Sequence, residues 1–310
     1  MVRNILNKLK SVVSSSSSSS PPISKSVTAK TNLIAVQRQK DIQKLAAHMG
    51  ITEENESSMV EMVSNHVLKQ TIHLLKDLHK NIKKDDNYHK HSLFELCLST
   101  SLVGPNSGDG LFLKYGGKKG RIDPGNIVAM YPGTSLYHED LSFFGGIDKM
   151  FNEDEMNWFI HRSDGVLIDG LGKTHELKSQ AGTFSGSDGG DTEGSALSDI
   201  MNKMERLQEY GYRCAEVKEN PFAIAHKANH PPVGARANVV AVAFDYKFDQ
   251  MQQECLDSVP TRHALLPKFL CPHGISFVAS RHIGAGEEIY LDYSVSTETR
   301  PEWYVEAERD

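Results

Sequence analysis

Between residues 41 and 86 apolar or small side chains return at every third or fourth position. Val60, Val63, Val67, Thr71, Leu74, Leu78 and Ile82 form one stripe, the spacing of an α-helix that buries one face. Ser58-x-x-Glu61 has the form of a capping box, and the run closes on Lys83, Lys84, Asp85 and Asp86. The pattern predicts a helical extension over 41–92 that packs on whatever follows.

From Leu93 the period shortens. The runs GLFLKYG, NIVAMYPG, WFIHRSDGVLIDG, ARANVVAVAFDY, GISFVASRHI and EEIYLDY are rich in β-branched and aromatic residues and are separated by glycine, proline and aspartate. Strands do not alternate regularly with long helices, which argues against a doubly wound parallel sheet. One helix interrupts the series, with Leu197, Ile200, Met201, Met204, Leu207 and Tyr210 as its apolar face. The glycine- and serine-rich stretch AGTFSGSDGGDTEGS leads into it, so that about 172–215 reads as a surface insertion. The expected architecture is mainly β with flanking helices over 93–296, preceded by the helical extension and followed by a tail, 297–310.

Composition changes the picture at the N-terminus. Residues 1–40 contain seven Lys or Arg, no acid and the tract Ser14–Ser20. Such a segment cannot bury a core and reads as a disordered tail, or as an organelle-targeting segment begun by Ile5, Leu6, Leu9, Val12 and Val13. A mitochondrial or other organellar address follows from the second reading, and a nuclear or cytosolic location from the first. With those seven set aside, 27 of the 34 bases remain against 40 acids. An acidic body speaks against direct nucleic-acid binding and for a basic ligand such as a lysine-rich peptide. No run is apolar and long enough for a membrane span. Cys97, Cys214, Cys255 and Cys271 form no C-x-x-C pair, so neither a zinc knuckle nor a disulfide framework is expected.

Several sites are excluded by their residues. Gly108-Asp109-Gly110 lacks the third glycine and long helix of a dinucleotide fold, and neither a P-loop nor a G-x-S-x-G elbow occurs. His226 and His230 have helical zinc spacing, but Lys227 stands where a glutamate would and Pro231-Pro232 ends any helix. No metal is expected there, and His273 reads as a loop histidine.

Four elements remain: SGDGLF, VAMYPG, the Asn229-His230 segment, and GEEIYLDY. In this order they resemble the SET-domain family of lysine methyltransferases, which carries a G-x-G turn, a Y-x-G, an N-H segment and a final E-L-x-x-D-Y. Here these read Gly108-Asp109-Gly110, Tyr131-Pro132-Gly133, Asn229-His230 and Glu288-Ile289-Tyr290-Leu291-Asp292-Tyr293. The resemblance spans about Leu93 to Ser296. VAMYPGT, DGVLIDG, NPFAIAH and ARANV are further similar to a divergent branch, the SET domain-containing protein 9 group.

The resemblance implies a SET fold of several small β-sheets with a pseudoknot-like C-terminal crossing. It implies S-adenosyl-L-methionine as cofactor, contacted by Gly108, Asp109, Gly110, Asn229, His230 and Tyr293. Tyr293 would be the catalytic phenol, Tyr131 would line the lysine channel, and the substrate would be a protein or peptide lysine. The chain departs from the family pattern in three places. Pro231-Pro232 replaces Ser-Cys, Asn238 follows as the closing asparagine after a longer linker, and no cysteine follows Tyr293. Only Trp303 and Tyr304 remain to cover the cofactor. A catalytically silent SET-fold module for binding or assembly therefore stands as the alternative.

Overall fold

The computed structural model describes residues 40–82, 94–105, 107–137, 159–162, 164–170, 220–247, 251, 253–263, 273–293 and 304. The basic N-terminal segment, the insertion with its helix, Cys214, Cys271 and Trp303 lie outside the described residues.

Among the described residues the helical extension consists of two helices. Helix α1 covers residues 40–48, and α2 is Glu56–Ile82. The break is built from backbone geometry. Gly50 sits at φ 70°, its N–H donates to the Ala47 carbonyl at 3.2 Å, and the Ile51 N–H reaches back to the Ala46 carbonyl at 2.8 Å. These paired bonds are the Schellman ending, which uses the left-handed conformation that glycine adopts freely. The cap of α2 also differs from expectation. Asn55 Oδ1 accepts the Ser58 N–H at 3.2 Å, so Asn55 is the N-cap and Ser58-x-x-Glu61 lies inside the helix.

The stripe on α2 is buried at Val63, Val67, Thr71, Leu74 and Leu78, whereas Val60 faces solvent. It joins one core with the strands. Burying each such Val or Leu contributes about 1.5–3 kcal/mol. Polar bonds fix its position. Ser64 Oγ donates to the Ala243 carbonyl at 2.9 Å, and the Gln70 amide donates to the Gly125 carbonyl and accepts from the Ile127 N–H. Among the described residues no helix is long and apolar enough to cross a membrane.

Eleven strands follow among the described residues: β1 Glu95–Thr100, β2 Asp109–Tyr115, β3 Arg121–Ile122, β4 Ile127–Met130, β5 Gly133–Leu136, β6 Phe159–His161, β7 Leu167–Asp169, β8 Val239–Asp245, β9 Thr261–His263, β10 His273–Ala279 and β11 Ile283–Gly284. They form four small sheets, ordered β1-β2, β4-β10-β8, β11-β3 and β6-β7-β5-β9. All pairs are antiparallel except β5 with β9. Central β10 is buried at every position, which is why HGISFVA is a continuous small and apolar run without alternation. His273 is thus the first residue of a strand, not a loop histidine. At Gly133, φ is 138°, and a Cβ there would run into the Asp169 carbonyl of neighbouring β7. The glycine of Tyr131-Pro132-Gly133 is required by that contact.

Candidate functional site

The last motif does not form a long strand. It lies between two partners. On one side Ile289 N–H donates to the Leu111 carbonyl at 2.7 Å and Leu113 N–H to the Glu287 carbonyl at 3.0 Å, which attaches it to β2. On the other, Leu291 N–H donates to the Asn229 carbonyl at 3.0 Å, while Asn238 and Val239 N–H both reach the Tyr290 carbonyl at 3.1 and 3.2 Å. Both ends of the segment from Asn229 to Val239 therefore grip Tyr290 and Leu291. This is the C-terminal crossing. Asn238 locks it with its side chain: the amide donates to the Glu288 carbonyl at 2.8 Å and to Glu287 Oε1 at 3.1 Å, and its oxygen accepts the Tyr290 N–H at 2.8 Å. Pro231 and Pro232 stiffen the loop between the two grips.

Within the crossing sits a buried carboxylate. Glu288 is 1% exposed and accepts the Ser101 hydroxyl at 2.7 Å, the Leu102 N–H at 2.7 Å, the Asn229 amide at 3.2 Å and the Tyr290 hydroxyl at 2.8 Å. It also fills the space over Gly110, where a Cβ would collide with its carboxylate. Gly110 is a glycine because Glu288 packs against it, rather than to admit a ligand at that point. The Asn229 amide is likewise engaged, by Glu288 and by the Asp109 carbonyl at 3.3 Å. Sequence reading placed Glu288 in the motif but assigned it no role. The available signal was an acid sharing the two-residue strand period with Tyr290, which puts both side chains on one face.

Next to the crossing stand aromatic groups. Tyr131 follows β4, is buried, and takes its backbone position from an N–H bond to the Ile275 carbonyl at 2.9 Å. Burial pushes its hydroxyl well above the ordinary phenol range, and the charges of Tyr293 and Asp169 push it in the same direction. Tyr293 is 39% exposed as a residue, yet burial of its phenol raises the hydroxyl to about 12. Its hydroxyl donates to the Ala228 carbonyl at 2.9 Å, and its N–H donates to His230 Nδ1 at 3.2 Å. His226 stands edge-on to Tyr131 with ring centroids 6.5 Å apart. Burial, then the charge of Lys227, presses it down to about 4, so the imidazole is neutral near pH 7. His226 lies on a single 3₁₀ turn and His230 beyond it, so the two histidines do not share a helix.

The structure thus brings Gly108, Asp109, Gly110, Asn229, His230, Tyr131 and Tyr293 into one region. Gly108 and Asp109 are at the surface, while Gly110 is covered by Glu288.

A second polar centre lies at the far end of β8 and β10. Asp164, Asp245 and His273 place ligand-type atoms within 4.8 Å of one another, close enough to hold an ion. The cation there is Arg162. Its Nη2 reaches Asp164 and Asp245, each at 2.7 Å, and Nη1 donates to the Phe244 and Gly274 carbonyls. Burial alone would raise both carboxyls. At Asp164 chiefly the bonds and charge of Arg162, and at Asp245 the His273 hydrogen bond followed by Arg162, hold both below the usual range. His273 Nε2 is bonded to the Tyr137 hydroxyl.

No family model matches the chain. It is 26% identical over 230 residues to SET domain-containing protein 9 of Homo sapiens, covering 72% of this chain and 67% of that one. The same protein of Pongo abelii is 26% identical over 230 residues, covering 72% and 73%. The solved structure of ctPRC2 in an autoinhibited conformation bound to S-adenosylmethionine aligns with TM-score 0.32 and 12% identity, over 74% of this chain and 19% of that one. The chain resembles the SET domain-containing protein 9 group, and its small, mostly antiparallel sheets around a C-terminal crossing are the mainly β arrangement expected from that resemblance.

Proposed function

We propose that this SET-fold chain is an S-adenosylmethionine-dependent protein-lysine methyltransferase. The observation that carries the reading is the crossing of the Asn229-His230 and Glu288–Tyr293 segments, which holds the Tyr293 hydroxyl on the Ala228 carbonyl, with buried Tyr131 edge-on to His226 beside it.

The residues around that crossing suit a cationic amino-acid cofactor. The acceptors there are the exposed Asp109 carboxylate and the Asn229 side-chain oxygen, whose amide nitrogen already faces Glu288 and Asp109. Gly108, Asp109, Asn229 and His230 would hold it, with Gly110 closed off behind Glu288. When bound, it supplies an electrophilic methyl group. The chain's own residues then position the amine. Tyr293 donates its proton to the Ala228 carbonyl, which leaves phenol lone pairs to accept from a lysine N–H. An amine desolvated against Tyr131 and Tyr293 would be disfavoured as an ammonium and favoured as the neutral amine that can attack. His226, neutral beside Tyr131, adds no opposing charge. Alignment and exclusion of water are where most of the rate would come from.

One observation favours a second reading. Glu288 already occupies the Asn229 amide and the space over Gly110, as suits a silent SET-fold module for binding or assembly. Calorimetric titration of S-adenosylmethionine into the full chain, followed by transfer of a labelled methyl group to lysine-rich proteins, separates the two. Saturable binding with label on lysine is expected. Absence of binding would overturn the enzyme reading and leave the module.

A further inference from the structure

Tyr304 belongs to the tail beyond the last motif, yet it is 5% exposed. Its ring stacks on His230 with centroids 4.3 Å apart and planes at 30°, and its hydroxyl donates to Asp292 Oδ1 at 3.2 Å. The same Asp292 oxygen stands 3.9 Å from His230 Nδ1, beyond hydrogen-bond range. Nδ1 instead accepts the Tyr293 backbone N–H at 3.2 Å. That bond needs an unprotonated Nδ1, hence a neutral imidazole with its proton on Nε2.

The arrangement runs against the ordinary tendency. A carboxylate near an imidazole draws it toward the charged form. Were Nδ1 to take a proton, it would turn to Asp292, and the Tyr293 N–H would face a donor. The backbone that aims the Tyr293 phenol would lose this anchor and keep the hydroxyl bond to Ala228. Asp292, Tyr293 and Tyr304 are titratable groups that face His230.

We propose that Tyr304 is a positioning residue for Tyr293: by holding Asp292 and covering the His230 ring, it keeps the imidazole neutral and its Nδ1 on the Tyr293 amide. The catalytic consequence rests on the methyltransferase reading, whereas the protonation state of His230 does not.

The test is a nitrogen-15 NMR titration of His230 in the full chain and in Tyr304→Phe, which keeps the ring and removes the hydroxyl. In the wild type His230 should show the Nε2–H tautomer at pH 7. In Tyr304→Phe its midpoint should move up by about one pH unit as Asp292 is released. Any methyl transfer should lose its acid limb at correspondingly higher pH, with KM for S-adenosylmethionine unchanged. In an Asp292→Asn background, Tyr304→Phe should shift His230 no further. If Tyr304→Phe does not fold, Tyr304→Trp, which keeps a stacking ring, gives the same comparison. Identical titrations with and without the hydroxyl, or a proton on Nδ1 in the wild type at pH 7, would overturn the proposal. Loss of transfer in every form, with the shift present, would count against the methyltransferase reading alone.

Discussion

At one end of β8, where Val239 joins the crossing, a buried carboxylate is held by neutral dipoles. At the other, where Asp245 pairs with His273 in register, a buried guanidinium is held by carboxylates. Glu288 draws its donors from Ser101 and Leu102, from Asn229 and from Tyr290, so its environment exists only once those segments have crossed. Arg162 meets Asp164 and Asp245, whose side chains are 44% and 54% exposed, so water can serve its partners if it leaves. The first centre organises the candidate site; the second closes the end of a sheet.

The largest expected effect follows from that difference. Glu288→Ala strands four donors and empties the space beside Gly110, and should cost about 3 kcal/mol or more in urea unfolding. Arg162→Ala should cost only about 1–2 kcal/mol. Equal costs would remove the distinction between the two centres.

Tyr293→Phe comes next. It should lower methyl transfer about 100-fold while S-adenosylmethionine affinity stays within about twofold. Tyr137→Phe, which removes a hydroxyl from the Arg162 centre, should leave transfer unchanged. Comparable loss in both variants would show that the phenols near the crossing have no special part.

Gly110→Ala should cost about 1–3 kcal/mol, because the new Cβ meets the Glu288 carboxylate. Combined with Glu288→Ala, the two costs should fall short of their sum. Additive costs would mean that Glu288 does not fill that space.

A further pair of effects separates the centres by pH. His226 is pressed from 6.5 down to about 4, so the unfolded chain binds the extra proton first. Stability should decline as pH falls from about 6.5 to about 4, and His226→Gln should flatten that decline. Asp164 and Asp245 are held below 3.8. Their contribution is present above that value and is lost as pH falls below it, a limb that Arg162→Ala should flatten. Melting temperature against pH reads both. A His226→Gln curve unchanged above pH 4 would sink the first assignment.

Much of this was legible in the chain itself. The runs GLFLKYG, NIVAMYPG and ARANVVAVAFDY correspond to β2, β4 and β8, and GISFVASRHI covers β10 and the start of β11, because strand-forming residues and glycine punctuation act locally. The buried stripe on α2 is readable for the same reason, but the break before it is not. The break needed Gly50 and Asn55 to be weighed as a helix end and a helix start, and a stripe of apolar positions is silent about both. The short strands β3, β5 and β9 carry too few residues to make a pattern. They exist because longer strands or distant segments offer them partners.

What the sequence by itself determined is therefore the mainly β class and the residue types at four motifs, including Asn229-His230 and the closing Glu288–Tyr293 run. Tertiary structure decided what those residues face. Whether Asn229 meets a ligand or Glu288, whether Gly110 is open or filled, and whether Tyr304 returns to His230 depend on segments far apart in the chain. Periodicity records which side of a strand or helix is buried. It holds no information about which distant donor satisfies a buried acceptor, because that pairing is fixed by the crossing as a whole.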